Sequence, residues 1–310
     1  MQAYVQTTLK SDVAFEGLGL HTGQPTRVRL RPCAANTGII FQRTDLIGVE
    51  PQVAARWDNV IVSPLNTRLT NADGVTVSTI EHLMAALAGC GVHNALIEIN
   101  GPEVPIMDGS AAAFVRGIVR AGVVRLNAPL RAIEILDDVA VEVGEATARL
   151  SPATSLQIGF DIAFADGAIG TQSKTLNMAN GTFVRELCDS RTFCRASDVA
   201  AMRANGLALG GTMDNAVVVD GDAVLTPGGL RHADEAVRHK MLDALGDLYT
   251  AGAPIIGRYT GHKAGHAVTN RLLQAVFEKP DAWRWVNCDA QIAARLPGVG
   301  VCEADLYAVA

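Results

Sequence analysis

Over its first forty residues the chain alternates apolar and polar positions, as in residues 26–30 (TRVRL), with glycine-bearing stretches between the runs. Alternation with period two sends successive side chains to opposite faces, so these are predicted strands joined by turns. From Ser78 to Leu87 the spacing changes. Ile80, Leu83, Met84 and Leu87 fall on one face of a helix, and Ser78 stands three residues before Glu81, the spacing of a capping box. The pattern predicts a helix beginning near Ser78, a strand over residues 94–99, a loop bearing Pro and Gly, and a second helix over residues 111–121.

Residues 125–129 (RLNAP) read as a boundary, because alternation restarts in the Val- and Ile-rich residues 133–143. This predicts a first domain at 1–127 and a second at 128–310. The second is expected to hold strands to about Phe164, short helices over residues 182–187 and 197–204, a long amphipathic helix over 233–249 and another over 268–278. Two segments, EHLMAALAGCGVHNALIEING and RHKMLDALGDLYTAGAPIIGRYTG, both run helix, glycine-containing turn, apolar strand, which suggests a duplication. No low-complexity tract separates the halves, so they are expected to pack closely and share a cleft.

Composition narrows the classes. With 49% hydrophobic and 19% charged residues, the chain can bury a large core, and at 5% aromatics that core must be mostly Ala, Val, Leu and Ile. The 26 Lys and Arg against 32 Asp and Glu form no long run of either sign. That argues against nucleic acid and for a small-molecule partner. Cys33, Cys90, Cys188, Cys194, Cys288 and Cys302 include no CxxC pair, so reduced thiols are expected. The opening MQAYVQTTLKSDV lacks the apolar core of a signal peptide, and no stretch reaches the roughly 20 apolar residues of a membrane span. A cytoplasmic, soluble protein is expected.

His239 and Asp243 are four apart in the long helix, hence on one face a turn apart. Such a pair suits a metal ion, and imidazole with carboxylate is a donor set that zinc accepts; it equally suits a helix ion pair. A catalytic zinc takes three protein ligands, and His82 is the candidate third. Its neighbour Glu81 is open to two roles, cap and proton acceptor. There is no HExxH, and Ser78 occupies the first position of an HxxEH, which excludes peptidases of those types. His266, in the glycine-flanked GHKAGH, is a candidate general acid or a loop histidine satisfied by the helix start, and Lys263 beside it a candidate phosphate contact. Asp247, one turn beyond Asp243, is placed to orient a histidine or to be solvated. The Gly17–Gly23 stretch (GLGLHTG) has the wrong spacing for GxGxxG and reads as a tight turn. Neither a P-loop nor GxSxG is present.

Taken together these residues resemble the UDP-3-O-acyl-N-acetylglucosamine deacetylase family, the zinc amidases of lipid A synthesis. The resemblance rests on GLGLHTG at 17–23, STIEHL at 78–83, PIMDGS at 105–110, SRTF at 190–193, GGTMDN at 210–215, HKMLD at 239–243 with Gly246 and Asp247, and KAGH at 263–266, in family order across almost the whole chain. It implies that His82, His239 and Asp243 hold Zn2+, that Glu81 is the base and His266 the acid, that Thr192 bonds the oxyanion and that Asp247 supports His266. It further implies that Lys240 and Lys263 face the substrate's diphosphate, with Phe164 as a surface for the uracil ring and Phe193 as a further substrate-binding residue. The implied fold is α+β: two related domains, each a β-sheet with helices on one face, the helical layers packed together, with a small insertion in each domain. The second insertion, about residues 191–211, would form an apolar passage for the acyl chain, and Cys194 stands there where Gly is expected. The implied activity is hydrolysis of the 2-acetamido group of a UDP-sugar by a monomer. The alternative is a non-catalytic sugar-nucleotide-binding protein on the same fold, whose sign would be a missing ligand or base; none is missing.

Overall fold

The computed structural model describes residues 4–63 and 65–309; residues 1–3, where the opening stretch begins, lie outside the described residues. Two five-stranded sheets carry the architecture. The first runs Val13–Leu18, Pro25–Arg31, Ala95–Ile99, Ile39–Arg43, Gln52–Ala54; the second runs Val139–Val143, Ala146–Ser151, Arg258–His262, Gln157–Ala163, Thr171–Asn177. In each sheet the central strand is the last to arrive in sequence. It lies antiparallel to one neighbour and parallel to the other, as Ala95–Ile99 does to Pro25–Arg31 and Ile39–Arg43, and Arg258–His262 does to Ala146–Ser151 and Gln157–Ala163. A parallel neighbour needs a crossover, and a helix supplies it: Glu81–Gly89 in the first half, Glu235–Tyr249 in the second. The helices Ala112–Ala121 and His266–Phe277 follow the two central strands. The two halves therefore share one topology, and the two segments with parallel sequence occupy corresponding places in it.

The alternating stretches became strands for the expected reason. In Pro25–Arg31 the residues Thr26, Val28 and Leu30 are buried while Arg27, Arg29 and Arg31 are exposed. The helices between the sheets obey a different rule. Every residue of Glu81–Gly89 is buried, and in Glu235–Tyr249 only Arg238 and Lys240 are not. A helix buried on nearly every side must have its apolar residues covered and its polar ones partnered. These two cover each other, with Leu83, Met84, Leu87, Leu242, Leu245 and Leu248 in one continuous core. Gly246 sets how closely they approach: a Cβ there would lie 2.0 Å from the carbonyl oxygen of Glu81.

Residues 125–129, read as a boundary, lie in the strand Val123–Pro129, which pairs antiparallel with Val5–Leu9. Two local expectations are corrected. The first buried helix begins at Glu81, not near Ser78, and no side chain caps it. Ser78 ends the strand Thr76–Ser78, where its amide and hydroxyl both donate to the Pro102 carbonyl, and Thr79 turns the chain at φ 56°. The capping box is thus broken by strand pairing that brings in a partner 24 residues away. The last long helix begins at His266 rather than at residue 268. The edge strand Thr171–Asn177 was not expected; its residues alternate exposed and half-buried, so it shows no apolar face to read.

Each half also carries a small extra sheet. The first is Val60–Ile61, Arg68–Thr70 and Thr76–Ser78; the second is Phe193–Arg195, Val217–Asp220 and Ala223–Val224, with the helix Ala196–Ala204 beside it. All six cysteines are free thiols. Among the described residues, no helix is long and apolar enough to cross a membrane.

Candidate active site

The close approach at Gly246 puts the first turn of Glu81–Gly89 against the middle of Glu235–Tyr249. His82, His239 and Asp243 converge there, each offering one ligand atom, all within 4.8 Å of one another and all buried. His82 Nε2 lies 3.6 Å and His239 Nε2 3.3 Å from Asp243 Oδ1, an oxygen that has no hydrogen-bond partner. The rings of His82 and His239 stand edge to face, 5.0 Å between centroids.

The donor set fits a zinc ion. A buried carboxylate oxygen without a partner is costly unless something positive meets it. His239 is also prepared as a ligand: its Nδ1 donates to the Ser190 carbonyl at 3.0 Å, which leaves Nε2 as a lone pair facing Asp243. Burial lowers the pKa of His239 to about 4, against the opposing pull of Asp243, so the ring is the neutral form a metal needs. Among the described residues this is the one cluster of three such groups.

Glu81 and His266 flank the cluster with Glu81 Oε1 3.8 Å from His266 Nε2, and His266 Nε2 is also 3.8 Å from Asp243 Oδ2. Burial raises the pKa of Glu81, opposed by His266 and His82, which makes it a better proton acceptor than a solvated glutamate. Its other oxygen accepts from the Thr67 amide at 3.0 Å, so the side chain is held by a loop and not by its own helix start. Burial works against a charge on His266, but Asp247, Glu81 and Asp243 outweigh it and raise the pKa to about 9. The ring is therefore protonated near neutrality. Asp247 holds it from behind, Nδ1 to Oδ2 at 2.9 Å.

The remaining expected site residues are spread around this centre. Thr192 donates its amide to the Gly109 carbonyl at 2.7 Å and accepts from Val217 at 2.8 Å, so the SRTF and PIMDGS motifs meet. Gly109, at φ 85°, also lets the Asn215 backbone come close, since a Cβ there would lie 2.1 Å from the Asn215 carbonyl oxygen. Phe193 packs edge to face on His239 at 6.2 Å and Phe164 on Phe193 at 5.4 Å, which makes one aromatic wall beside the ligands. Lys240 is brought to the cluster itself: its Nζ donates to Asp243 Oδ2 at 3.0 Å. Lys263, at φ 48°, points elsewhere and donates to the exposed Glu145 at 2.7 Å. The two lysines thus do not share one anion-binding point. Cys194 is half-buried in the strand Phe193–Arg195, paired in register with Val218. Beyond it, Leu209 and Gly210 donate their amides to the His21 and Leu20 carbonyls, which docks the insertion on the Gly17–Gly23 turn.

Several residues that shape the site carried no signal of their own in the sequence. Arg191 and Glu235 form a buried pair, with Arg191 N and Nε both 2.9 Å from Glu235 Oε1, and this ties the SRTF loop to the start of the long helix. Glu103, fully buried, accepts from the amides of His21 and Thr22 and the hydroxyls of Thr22 and Thr79. Thr67 donates its hydroxyl to the Asp247 carboxylate from behind, and Asn270 donates to that hydroxyl. None has a diagnostic spacing, since each acts across a long stretch of chain.

Comparison with known proteins gives a consistent result. A family model described as UDP-3-O-acyl N-acetylglycosamine deacetylase matches residues 6–278. A UDP-3-O-acyl-N-acetylglucosamine deacetylase of Phenylobacterium zucineum (strain HLK1) is 53% identical over 279 residues, 90% of this chain and 95% of that protein. Proteins of the same name from Shewanella oneidensis and Shewanella sp. (strain W3-18-1) are 42% identical over 301 residues and 43% over 290, covering 94% and 92% of this chain and 97% and 94% of theirs.

Proposed function

Since the chain belongs to the UDP-3-O-acyl N-acetylglycosamine deacetylase family, we propose that its buried His82, His239 and Asp243 cluster is the metal centre at which it performs that family's reaction. The protein is an enzyme, a deacetylase that hydrolyses the N-acetyl group of UDP-3-O-acyl-N-acetylglucosamine to the free amine and acetate, the committed step of lipid A biosynthesis. The metal of this reading is Zn2+. One observation carries the assignment of residues: an unpartnered carboxylate oxygen and two histidine nitrogens converge between Glu81 and His266.

When bound, zinc supplies a Lewis acid that acidifies water and polarises the amide carbonyl. Glu81 takes the proton as water attacks the carbonyl carbon, its raised pKa matching it to the task. The Thr192 hydroxyl donates to the carbonyl oxygen as negative charge collects there. His266, charged at neutral pH and held by Asp247, delivers a proton from Nε2 to the departing nitrogen, because an amine leaves poorly as an anion. The C–N bond breaks, and acetate and the protonated amine balance the water consumed. Lys263 reaches the substrate's diphosphate by exchanging Glu145 for it, whereas Lys240, held on Asp243, keeps that carboxylate ionised. The Phe164 and Phe193 wall receives the flat nucleoside end, and residues 191–211 the acyl chain. On this reading residues 1–127 and 128–310 are the two domains of a cytoplasmic monomer.

The test is metal analysis joined to an acetate-release assay on the purified protein. About one equivalent of zinc with stoichiometric acetate supports the reading. UDP-sugar binding without turnover at full zinc occupancy would instead make the chain a non-catalytic binder.

A further inference from the structure

Behind the reacting groups lies one residue that touches both of them. Thr67 is fully buried at the start of the strand Arg68–Thr70, in the first half's small sheet. Its amide donates to Glu81 Oε2 at 3.0 Å. Its hydroxyl donates to Asp247 Oδ1, across 180 residues of sequence, and the same oxygen accepts from Asn270 Nδ2 at 3.2 Å. The hydroxyl's donor and acceptor capacity are both used, which leaves it one orientation. Asp247 in turn faces His266 Nδ1 with both oxygens, Oδ2 at 2.9 Å and Oδ1 at 3.2 Å, and the Thr67 hydroxyl itself lies 3.5 Å from that nitrogen.

We infer that Thr67 is a positioning residue that sets Glu81 and His266 relative to each other, its backbone anchoring the base and its hydroxyl anchoring the carboxylate that orients the acid. The inference rests on the roles given above to Glu81 and His266. Its physical content is specific. Glu81 comes from the first half and His266 from the second, so no helix geometry fixes their 3.8 Å separation. The Thr67 hydroxyl, bonded to Oδ1, holds the carboxylate in the orientation in which both of its oxygens face the imidazole, and a rotation of the carboxylate would cost one of these bonds. Free of Thr67, Asp247 could turn about its Cβ–Cγ bond and carry the ring with it. Reacting groups must sit close to their productive geometry, and partners behind them typically contribute 10- to 100-fold in rate or affinity. Thr67 differs from Asn270 in this respect, since Asn270 reaches the carboxylate only through the threonine hydroxyl.

Thr67→Val removes the hydroxyl, keeps the shape and spares the amide bond to Glu81. In the zinc-loaded enzyme kcat is expected to fall roughly 10- to 100-fold with KM within about twofold and zinc content unchanged. Thr67→Ser, which restores the hydroxyl, is expected to recover most of the loss. A structural role alone would produce lower thermal stability with an unchanged kcat at a temperature where the variant is folded. Two further measurements isolate the route. In an Asp247→Ala background the same Thr67→Val change is expected to cost nothing more, whereas multiplying losses would show that Thr67 does not act through Asp247. In the zinc-free protein, the Nδ1 proton of His266, followed by NMR with labelled histidine, is expected to shift or broaden in Thr67→Val and to return in Thr67→Ser. Glu81→Gln and His266→Ala in the same assay keep the two readings apart. If those variants retain activity, the assignment of base and acid fails; if they lose it while Thr67→Val turns over normally, the Thr67 inference alone is overturned.

Discussion

The two halves of this molecule share a strand order and a placement of helices, and yet they bring unequal chemistry to their common face. On the proposed assignment, the helix before the first central strand brings one ligand and the base, His82 and Glu81, both in its first turn. The corresponding helix of the second half would bring two ligands and the orienting carboxylate, His239, Asp243 and Asp247, one turn apart along its middle, and the helix after it opens with His266. A duplicated scaffold thus fixes where side chains can meet without fixing which ones do. Neither half holds a site alone, because three ligand atoms within 4.8 Å are drawn from both. What joins them is an apolar contact made tight by Gly246.

The comparison breaks most completely at Glu81. Glu81→Gln can still accept from the Thr67 amide through its carbonyl oxygen, but it cannot take a proton. Turnover is expected to fall roughly 100- to 10,000-fold with a melting temperature near that of the parent. Normal turnover would reduce Glu81 to a packing residue and leave the first half with a ligand only.

Next in size is the sharing of the metal. His82→Ala from the first half and His239→Ala or Asp243→Ala from the second are each expected to lose most of the bound zinc, since three ligands leave little redundancy. Chelation of the parent is expected to abolish turnover and leave a folded protein, because the aliphatic core does not depend on the ion. Full zinc occupancy in all three variants would sink the shared centre.

Gly246→Ala tests the contact itself. An added Cβ would lie 2.0 Å from the Glu81 carbonyl, so the helices must part. Overpacking of this kind typically costs about 1–3 kcal/mol, read as a lowered melting temperature. Weaker zinc retention is expected with it, though every ligand is intact. Unchanged stability and zinc affinity would show that the closeness of the two helices is not what assembles the site.

The smallest effect belongs to the second insertion, which has no equivalent load in the first. Each buried methylene is worth about 0.8 kcal/mol, so a side chain that narrows an acyl passage shifts chain-length preference by a few fold per carbon. Cys194→Gly is expected to lengthen or shift the preferred acyl chain at constant zinc content, measured as kcat/KM over graded chain lengths. An identical profile in both proteins removes Cys194 from the passage.

The sequence by itself determined whatever depends on near neighbours. Period-two alternation in residues 26–30 and helical spacing in Ile80, Leu83, Met84 and Leu87 follow from which face a core must cover. The four-residue step from His239 to Asp243 placed two ligands together without reference to the rest of the chain. Tertiary structure decided what depends on residues far apart. Ser78 and Glu81 have the spacing of a capping box, but pairing with Pro102 drew Ser78 into a strand and left Glu81 to the amide of Thr67. Residues 125–129 show only a break in pattern, and Val5–Leu9, more than a hundred residues earlier, is what pairs with them as a strand. Lys240 and Lys263 read alike as cations, yet Lys240 bonds Asp243 one turn along its own helix, whereas only the fold put Lys263 on Glu145, 118 residues away. The reason is shared: a local pattern states what a residue can bond, whereas burial forces it to bond whatever the packed chain brings within reach, and that partner lies outside the local stretch of chain.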